Sequence, residues 1–131
     1  MTKRLALTVV VVFIVWSVLD YILHGLLLRS TYEATANLWR PMDQMNMPLI
    51  SVVTLVFTAC FVLIYGFLVE RRSLVSGIQF GALFGLAMGI SMGFGSYSYM
   101  PIPLTLAWSW LVGSWIEAIA AGAIVGAMLK S

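Results

Sequence analysis

The chain has 131 residues, of which 62% are hydrophobic and 9% are charged, and its mean hydropathy is +1.03. Average soluble domains carry about 25% charged residues, so this composition predicts an integral membrane protein. Seven Lys and Arg against five Asp and Glu form no basic stripe, which excludes a nucleic-acid-binding protein, and the lone Cys60 excludes a disulfide scaffold.

Four apolar runs are long enough to cross a bilayer, which takes about 20 residues per helix. They cover residues 5–28, 48–69, 77–94 and 105–129. The first run has 24 residues, which is too long for the apolar part of a signal peptide. Because lipid leaves open backbone groups unsatisfied, each run is expected to be a helix. The sequence therefore predicts an all-α, polytopic four-transmembrane-helix bundle that forms one domain over residues 1–131.

The basic residues between the runs predict an orientation. Four crossings place both termini and the loop of residues 70–76 on one side. That side carries five of the seven basic residues, namely Lys3, Arg4, Arg71, Arg72 and Lys130. Because cytoplasmic loops carry the excess of Lys and Arg, both termini are expected in the cytoplasm.

The outer connection between the first two runs contains a predicted short helix. Ser30 and Glu33 have the spacing of a capping box, and Pro41 is expected to end the helix near Trp39. Tyr32 and Trp39 fall on one face of it, opposite charged residues. This pattern predicts an interfacial helix that lies in the headgroup layer.

Small residues recur every four positions in the third and fourth runs. In chain order these are Gly77, Gly81, Gly85, Gly89 and Gly93, and then Ser114, Ala118, Gly122 and Gly126. Such stripes let membrane helices approach closely, and van der Waals packing then supplies much of their association energy. Either the two stripes pack on each other within one bundle, or one stripe faces another subunit. A homo-oligomer or a larger membrane complex is expected.

Three ionisable residues fall inside the predicted spans, namely Asp20, His24 and Glu117. Placing each of them at the bilayer centre costs at least about 2.5 kcal/mol, so each is expected to have a structural or functional role. Asp20 and His24 are one helical turn apart with Ser17 on the same face, and Glu117 shares its face with Ser114. Two carboxyls and an imidazole in low dielectric can share a proton. We therefore expect a proton- or cation-binding site that supports transport or sensing.

Other interpretations of the same residues stay open. Asp20 and His24 can instead form a hydrogen-bonded pair that locks the first and fourth runs, with Glu117 held neutral. The three side chains are also compatible with zinc, whereas a single histidine argues against a bis-histidine haem within one chain. The alternative function is a non-catalytic accessory subunit that packs on a larger membrane complex through its glycine stripe.

The outer loop also carries methionines, at Met42, Met45 and Met47. Thioethers bind Cu(I), although methionine is also a common filler of apolar gaps. We therefore expect no cofactor, with Cu(I) or another metal kept as the alternative. Phosphate-binding loops and the GxSxG, HExxH and CxxC motifs are all lacking, so we expect no enzymatic activity.

The runs LDYILHGLLL, YEATANLWRP and YMPIPL resemble small four-pass bacterial inner-membrane proteins. The resemblance covers most of the chain, implies the same fold and a bacterial inner membrane, and carries over no activity. Small multidrug exporters are similar in size and also have an intramembrane glutamate. Theirs lies in the first helix, where this chain has Asp20 and His24.

Overall fold

A computed structural model describes residues 1–131, and 83% of them are helical, with no strand. Four helices are long and apolar enough to span a membrane, namely Thr2–Leu27, Met47–Leu68, Leu74–Gly95 and Leu104–Met128. The all-helical class and the four long apolar helices of the sequence prediction are thereby confirmed.

Two of the long helices change from α-helical to π-helical geometry near one end. The first consists of α1 (Thr2–Asp20) and a π-helical segment, Tyr21–Leu27. The third consists of α4 (Leu74–Ile90) and a π-helical segment, Ser91–Gly95. The other elements are α2 (Arg29–Ala34), two short 3-10 turns (Ala36–Leu38 and Met42–Gln44), α3 (Met47–Leu68) and α5 (Leu104–Met128).

Local sequence explains where α3 and α4 begin. Pro48 lies in the first turn of α3, and the Asn46 side chain caps this helix by accepting a hydrogen bond from a backbone N–H at 3.0 Å. Ser73 and Ser76 form a reciprocal capping box at the start of α4. Because this box satisfies the free N–H groups of the first turn, α4 begins at residue 74, before the start at 77 that the apolar run predicts.

The short helix of the first connection differs from its prediction. No side chain caps α2, so the predicted capping box of Ser30 and Glu33 is wrong. Glu33 instead accepts a hydrogen bond from Arg29 Nε at 3.2 Å. The helix ends before Thr35 rather than near Trp39, because Thr35 leaves the helical conformation at φ −118° and ψ 29°.

α4 and α5 make the closest helix–helix contact. The five glycines of the third run are all buried. A Cβ atom on any of them would collide with α5, at Gly122 and Gly126 for Gly77, at Ala118 for Gly81 and Gly85, at Leu111 for Gly89 and at Ala107 for Gly93. The two small-residue stripes therefore lie against each other within this chain.

The buried side chains form two clusters at opposite ends of the bundle. We call the end that holds both chain termini the terminal end and the end that holds α2 the loop end. The terminal cluster contains Leu5, Val12, Trp16, Phe61, Val62, Tyr65, Ala118, Ala121, Val125 and Leu129. The loop cluster contains Leu28, Ile102, Leu106, Ala107 and Trp110, and no residue of α3 belongs to it or packs against it.

Arg72 closes the terminal end. Its Nε donates to the carbonyl oxygen of Leu129 at 2.7 Å, and its Nη1 donates to the carbonyl oxygens of Gly66 and Val69 at 3.2 Å each. One guanidinium group thus satisfies carbonyls at the C-terminal ends of both α3 and α5. The Ser131 N–H also donates to the Arg72 carbonyl oxygen at 3.1 Å, which holds the last residue beside this connection.

Candidate functional site

The three ionisable side chains of the apolar helices lie together in the structure. Asp20 ends α1, His24 follows in the π-helical segment, and Glu117 projects from the middle of α5. His24 Nε2 lies 3.9 Å from Asp20 Oδ1. The Glu117 carboxyl contacts the Asp20 carboxyl. The fold therefore places the two carboxyls and the imidazole in one cluster, although Glu117 lies far from the others in sequence.

Glu117 is the buried member of this cluster, with 5% of its surface exposed. Its carboxyl contacts the indole of Trp16, and its Oε1 atom is enclosed without a hydrogen-bond partner. An ionised carboxylate in such surroundings has an uncompensated oxygen, whereas a protonated carboxyl has an O–H that it can donate. The contact between Glu117 and Asp20 therefore suits one proton shared by two carboxyls.

The cluster continues towards the loop end through Tyr32 of α2. The Tyr32 oxygen lies 2.5 Å from His24 Nδ1, and the two rings are stacked with their centroids 5.9 Å apart. Trp110 Nε1 donates to the same oxygen at 2.8 Å. Burial raises the pKa of Tyr32 above its usual value, so the phenol is neutral at physiological pH. We use the name polar chain for the series Glu117, Asp20, His24, Tyr32 and Trp110.

No protein-family model, curated protein or solved structure matches the chain. The resemblance to small four-pass bacterial inner-membrane proteins stays a prediction.

The two serines of the predicted site lie beside the polar chain without joining it. Ser114 is buried, and its Oγ donates to Met92 Sδ at 3.8 Å instead of to Glu117. Ser17 is half-buried and makes no side-chain hydrogen bond within the chain. The polar chain is therefore built from carboxyl, imidazole, phenol and indole groups only.

The sequence places Trp16 on the helix face of Asp20 and His24, but it does not connect Tyr32 and Trp110 with the site. Tyr32 and Trp110 are 78 positions apart, so no local pattern connects their hydrogen bond. Trp16 left a detectable signal, because it precedes Asp20 by four residues and therefore lies on the same helix face. An indole N–H next to a carboxyl in a membrane span is a donor that such a carboxyl requires.

The geometry does not favour a metal site. No group of three or more His, Cys, Asp or Glu side chains is arranged to hold a metal ion, so the three ionisable side chains do not have the arrangement of a zinc site. Met42 and Met47 are 74% and 53% exposed, and Met45 is half-buried. Cu(I) binding by these three methionines stays a prediction.

Proposed function

We propose that the chain is a small integral membrane protein in which Asp20, His24 and Glu117 bind a proton in support of transport or sensing. The observation that carries this proposal is the contact between the carboxyls of Glu117 and Asp20, with one Glu117 oxygen enclosed and unpartnered. Placing an ionisable group within a membrane helix costs free energy, and such groups usually mark proton or ion sites. A cluster of two carboxyls and one imidazole titrates as a unit, which suits proton uptake and release.

The burial of the cluster suggests the direction from which a proton arrives. The side chains of Asp20 and His24 are 34% and 38% exposed, whereas Glu117 is nearly closed. Partly exposed ionisable groups in a membrane span favour contact with a water-filled path. A proton therefore enters at Asp20 and His24 and reaches Glu117 last.

On the terminal side of Glu117 the path is closed. The ring of Trp16 packs edge-on against Phe57 and Phe61, at centroid distances of 5.4 and 5.7 Å. The buried hydroxyls of Thr8 and Thr58 donate to carbonyl oxygens of their own helices, at 2.6 and 2.9 Å. Each hydroxyl has its one proton engaged within its own helix, and the rings around Trp16 are apolar, which favours a site that is loaded from the loop end over an open pore.

We propose that the protein lies in a bacterial inner membrane with both termini in the cytoplasm. The terminal end carries most of the basic residues, and Lys3, Arg4, Arg71 and Lys130 are all exposed there. In this orientation the loop end, with α2 at the membrane surface, faces outwards. The polar chain then opens towards the compartment outside the cytoplasm.

The alternative of an accessory subunit that docks through its glycine stripe receives less support. Because α5 covers the glycines of α4, this stripe is not a free docking face. A homo-oligomer or a larger membrane complex remains part of the proposal, with contacts on the lipid-facing sides of the helices instead.

Infrared difference spectroscopy on the protein in lipid vesicles tests the proposal, because a protonated carboxyl has its own carbonyl stretching band. A step in external pH is expected to change this band in the natural protein. Glu117→Gln is expected to remove the change, and Asp20→Asn to shift or remove it. Asp43→Asn is the matched control, since Asp43 is an exposed carboxyl of the first connection.

Two results would contradict the proposal. One is a spectrum in which no carboxyl band responds to the pH step. The other is a response that persists unchanged in both Glu117→Gln and Asp20→Asn, since the proton would then be held elsewhere.

A further inference from the structure

The hydrogen bonds of Tyr32 determine which nitrogen of His24 carries the proton when the imidazole is neutral. Trp110 Nε1 can only donate, so the Tyr32 oxygen accepts from it, at 2.8 Å. The Tyr32 hydroxyl proton is then free for another acceptor. The one other polar partner of this oxygen is His24 Nδ1, 2.5 Å away. Tyr32 therefore donates to Nδ1, which leaves the imidazole proton on Nε2.

The opposite side of the imidazole leads to the same tautomer. Nε2 lies 3.9 Å from Asp20 Oδ1, so an N–H on Nε2 points towards a carboxyl oxygen. In the other tautomer the Nε2 lone pair would face the carboxyl lone pairs, and the half-buried Tyr32 hydroxyl would lose its acceptor. Both effects disfavour a proton on Nδ1.

Aromatic packing holds the Tyr32 hydroxyl in place. Its ring packs edge-on against Trp39 at a centroid distance of 5.6 Å, and Trp39 in turn packs against Trp110 at 5.9 Å. Trp39 Nε1 donates to Thr35 Oγ1 at 2.9 Å, which anchors it just beyond α2. A segment that follows the first apolar helix thus supplies a fixed donor to a histidine within that helix.

We propose that Tyr32 is a positioning residue of the proton site, which holds neutral His24 in the tautomer with its proton on Nε2, facing Asp20. The importance of this role for proton binding rests on the proposed function, whereas the tautomer itself is a separate property. Tyr32 places the acceptor nitrogen of His24 on the loop side and the donor nitrogen on the side of the carboxyls. A residue of the first connection thereby determines the tautomer of His24 in the proton site.

Nitrogen-15 NMR tests the inference directly, because His24 is the only histidine and labelled histidine reports on it alone. At a pH where His24 is neutral, the natural protein is expected to show Nδ1 as a bare, hydrogen-bonded acceptor and Nε2 as N–H. Tyr32→Phe keeps the ring stack and removes the hydroxyl. It is expected to lower the ratio of the Nε2–H to the Nδ1–H tautomer about fivefold, the effect of one hydrogen bond.

Tyr21→Phe is the matched control, since Tyr21 is 64% exposed in the same π-helical segment and makes no side-chain hydrogen bond. It should leave the histidine spectrum unchanged. The inference is overturned if the natural protein carries the proton on Nδ1, or if Tyr32→Phe leaves the tautomer ratio as it was. A general loss of structure would instead broaden signals throughout the spectrum and lower the melting temperature, which the conservative change to phenylalanine is chosen to avoid.

The same variant separates this inference from the proposed function. If the tautomer responds to Tyr32→Phe but no carboxyl band responds to pH, the positioning role stands and the proton site fails. If the carboxyl band responds to pH but Tyr32→Phe leaves the tautomer ratio of His24 unchanged, the proton site stands and the positioning role fails.

Discussion

The terminal and loop halves of the bundle are packed in different ways. In the terminal half all four long helices meet, and Phe61 and Tyr65 of α3 are fully buried. Phe80 and Phe84 of α4 pack on these side chains at centroid distances between 4.7 and 5.6 Å. In the loop half α3 contributes nothing to the core, and its residues 47–53 are all exposed. The α2 segment and the start of α5 complete that half instead.

The polar chain extends from Glu117, in the middle of α5, into the loop half, and both π-helical segments lie in that half. A π-helical turn interrupts the regular ladder of hydrogen bonds and redirects side chains, and such turns are frequent at functional sites. His24 lies on one of these turns, and Met92, which accepts a hydrogen bond from Ser114, lies on the other. All four long helices thus contribute to the core of the terminal half, whereas the loop half is arranged around ionisable groups.

The contact between α4 and α5 is common to both halves, so breaking it should have the largest effect. Gly81→Ala would place a Cβ against the Ala118 carbonyl oxygen, where only backbone movement makes room. We expect a loss of about 3 kcal/mol in the free energy of unfolding, measured by denaturation in mixed micelles. Gly95→Ala is the control, because its Cβ would meet nothing nearer than 3.9 Å. Equal losses for the two variants would show that close α4–α5 packing is not what limits stability.

Within α3, the two halves should respond differently to the same kind of truncation. Phe61→Ala removes a fully buried ring and is expected to cost about 2 kcal/mol. This value lies below the range of about 3 to 5 kcal/mol for soluble cores, because lipid rather than water is the reference environment in the membrane location proposed above. Leu55→Ala, at a position 44% exposed, should change the unfolding free energy little. A comparable cost at both positions would mean that the loop half of α3 is packed after all.

The smallest effect is expected in the loop half, where Trp110→Phe removes the indole donor to Tyr32. The ring remains, so only one hydrogen bond is lost, at a cost of about 1 kcal/mol in the same unfolding measurement. Trp108→Phe is the matched control, since Trp108 is 53% exposed and its indole N–H has no partner within the chain. If both variants unfold alike, the bond between Trp110 and Tyr32 contributes nothing measurable to the packing of α2.

Much of the architecture could be predicted because it depends on local patterns. Apolar runs of sufficient length predict the four long helices, and Pro48 marks the first turn of α3. The apolar run predicts the start of α4 at residue 77, which is too late, because the capping box of Ser73 and Ser76 begins the helix at residue 74. The capping box assigned to Ser30 and Glu33 failed for a different reason, since Glu33 lies one turn from Arg29 and pairs with it instead.

The candidate site was predictable only in part. The four-residue spacing of Asp20 and His24 indicates proximity on one helix, and the cost of burying Glu117 singles out that residue. The contact of Glu117 with Asp20 depends on how α1 and α5 pack, which no spacing encodes. The hydrogen bond of Tyr32 to His24 depends on where α2 lies relative to the first long helix. The local sequence pattern predicts only that Tyr32 lies at the membrane surface.

By itself, the sequence determined that this chain forms four apolar helices and carries three ionisable groups among them, because hydropathy and helical spacing act over neighbouring residues. Only the packing of the helices determines that α5 covers the glycines of α4, that α3 contributes no side chain to the loop cluster, and that Tyr32 and Trp110 complete the polar chain. The reason is physical: hydrogen bonds and close packing between distant segments depend on the positions of whole helices, and those positions emerge only when all the helices have packed together.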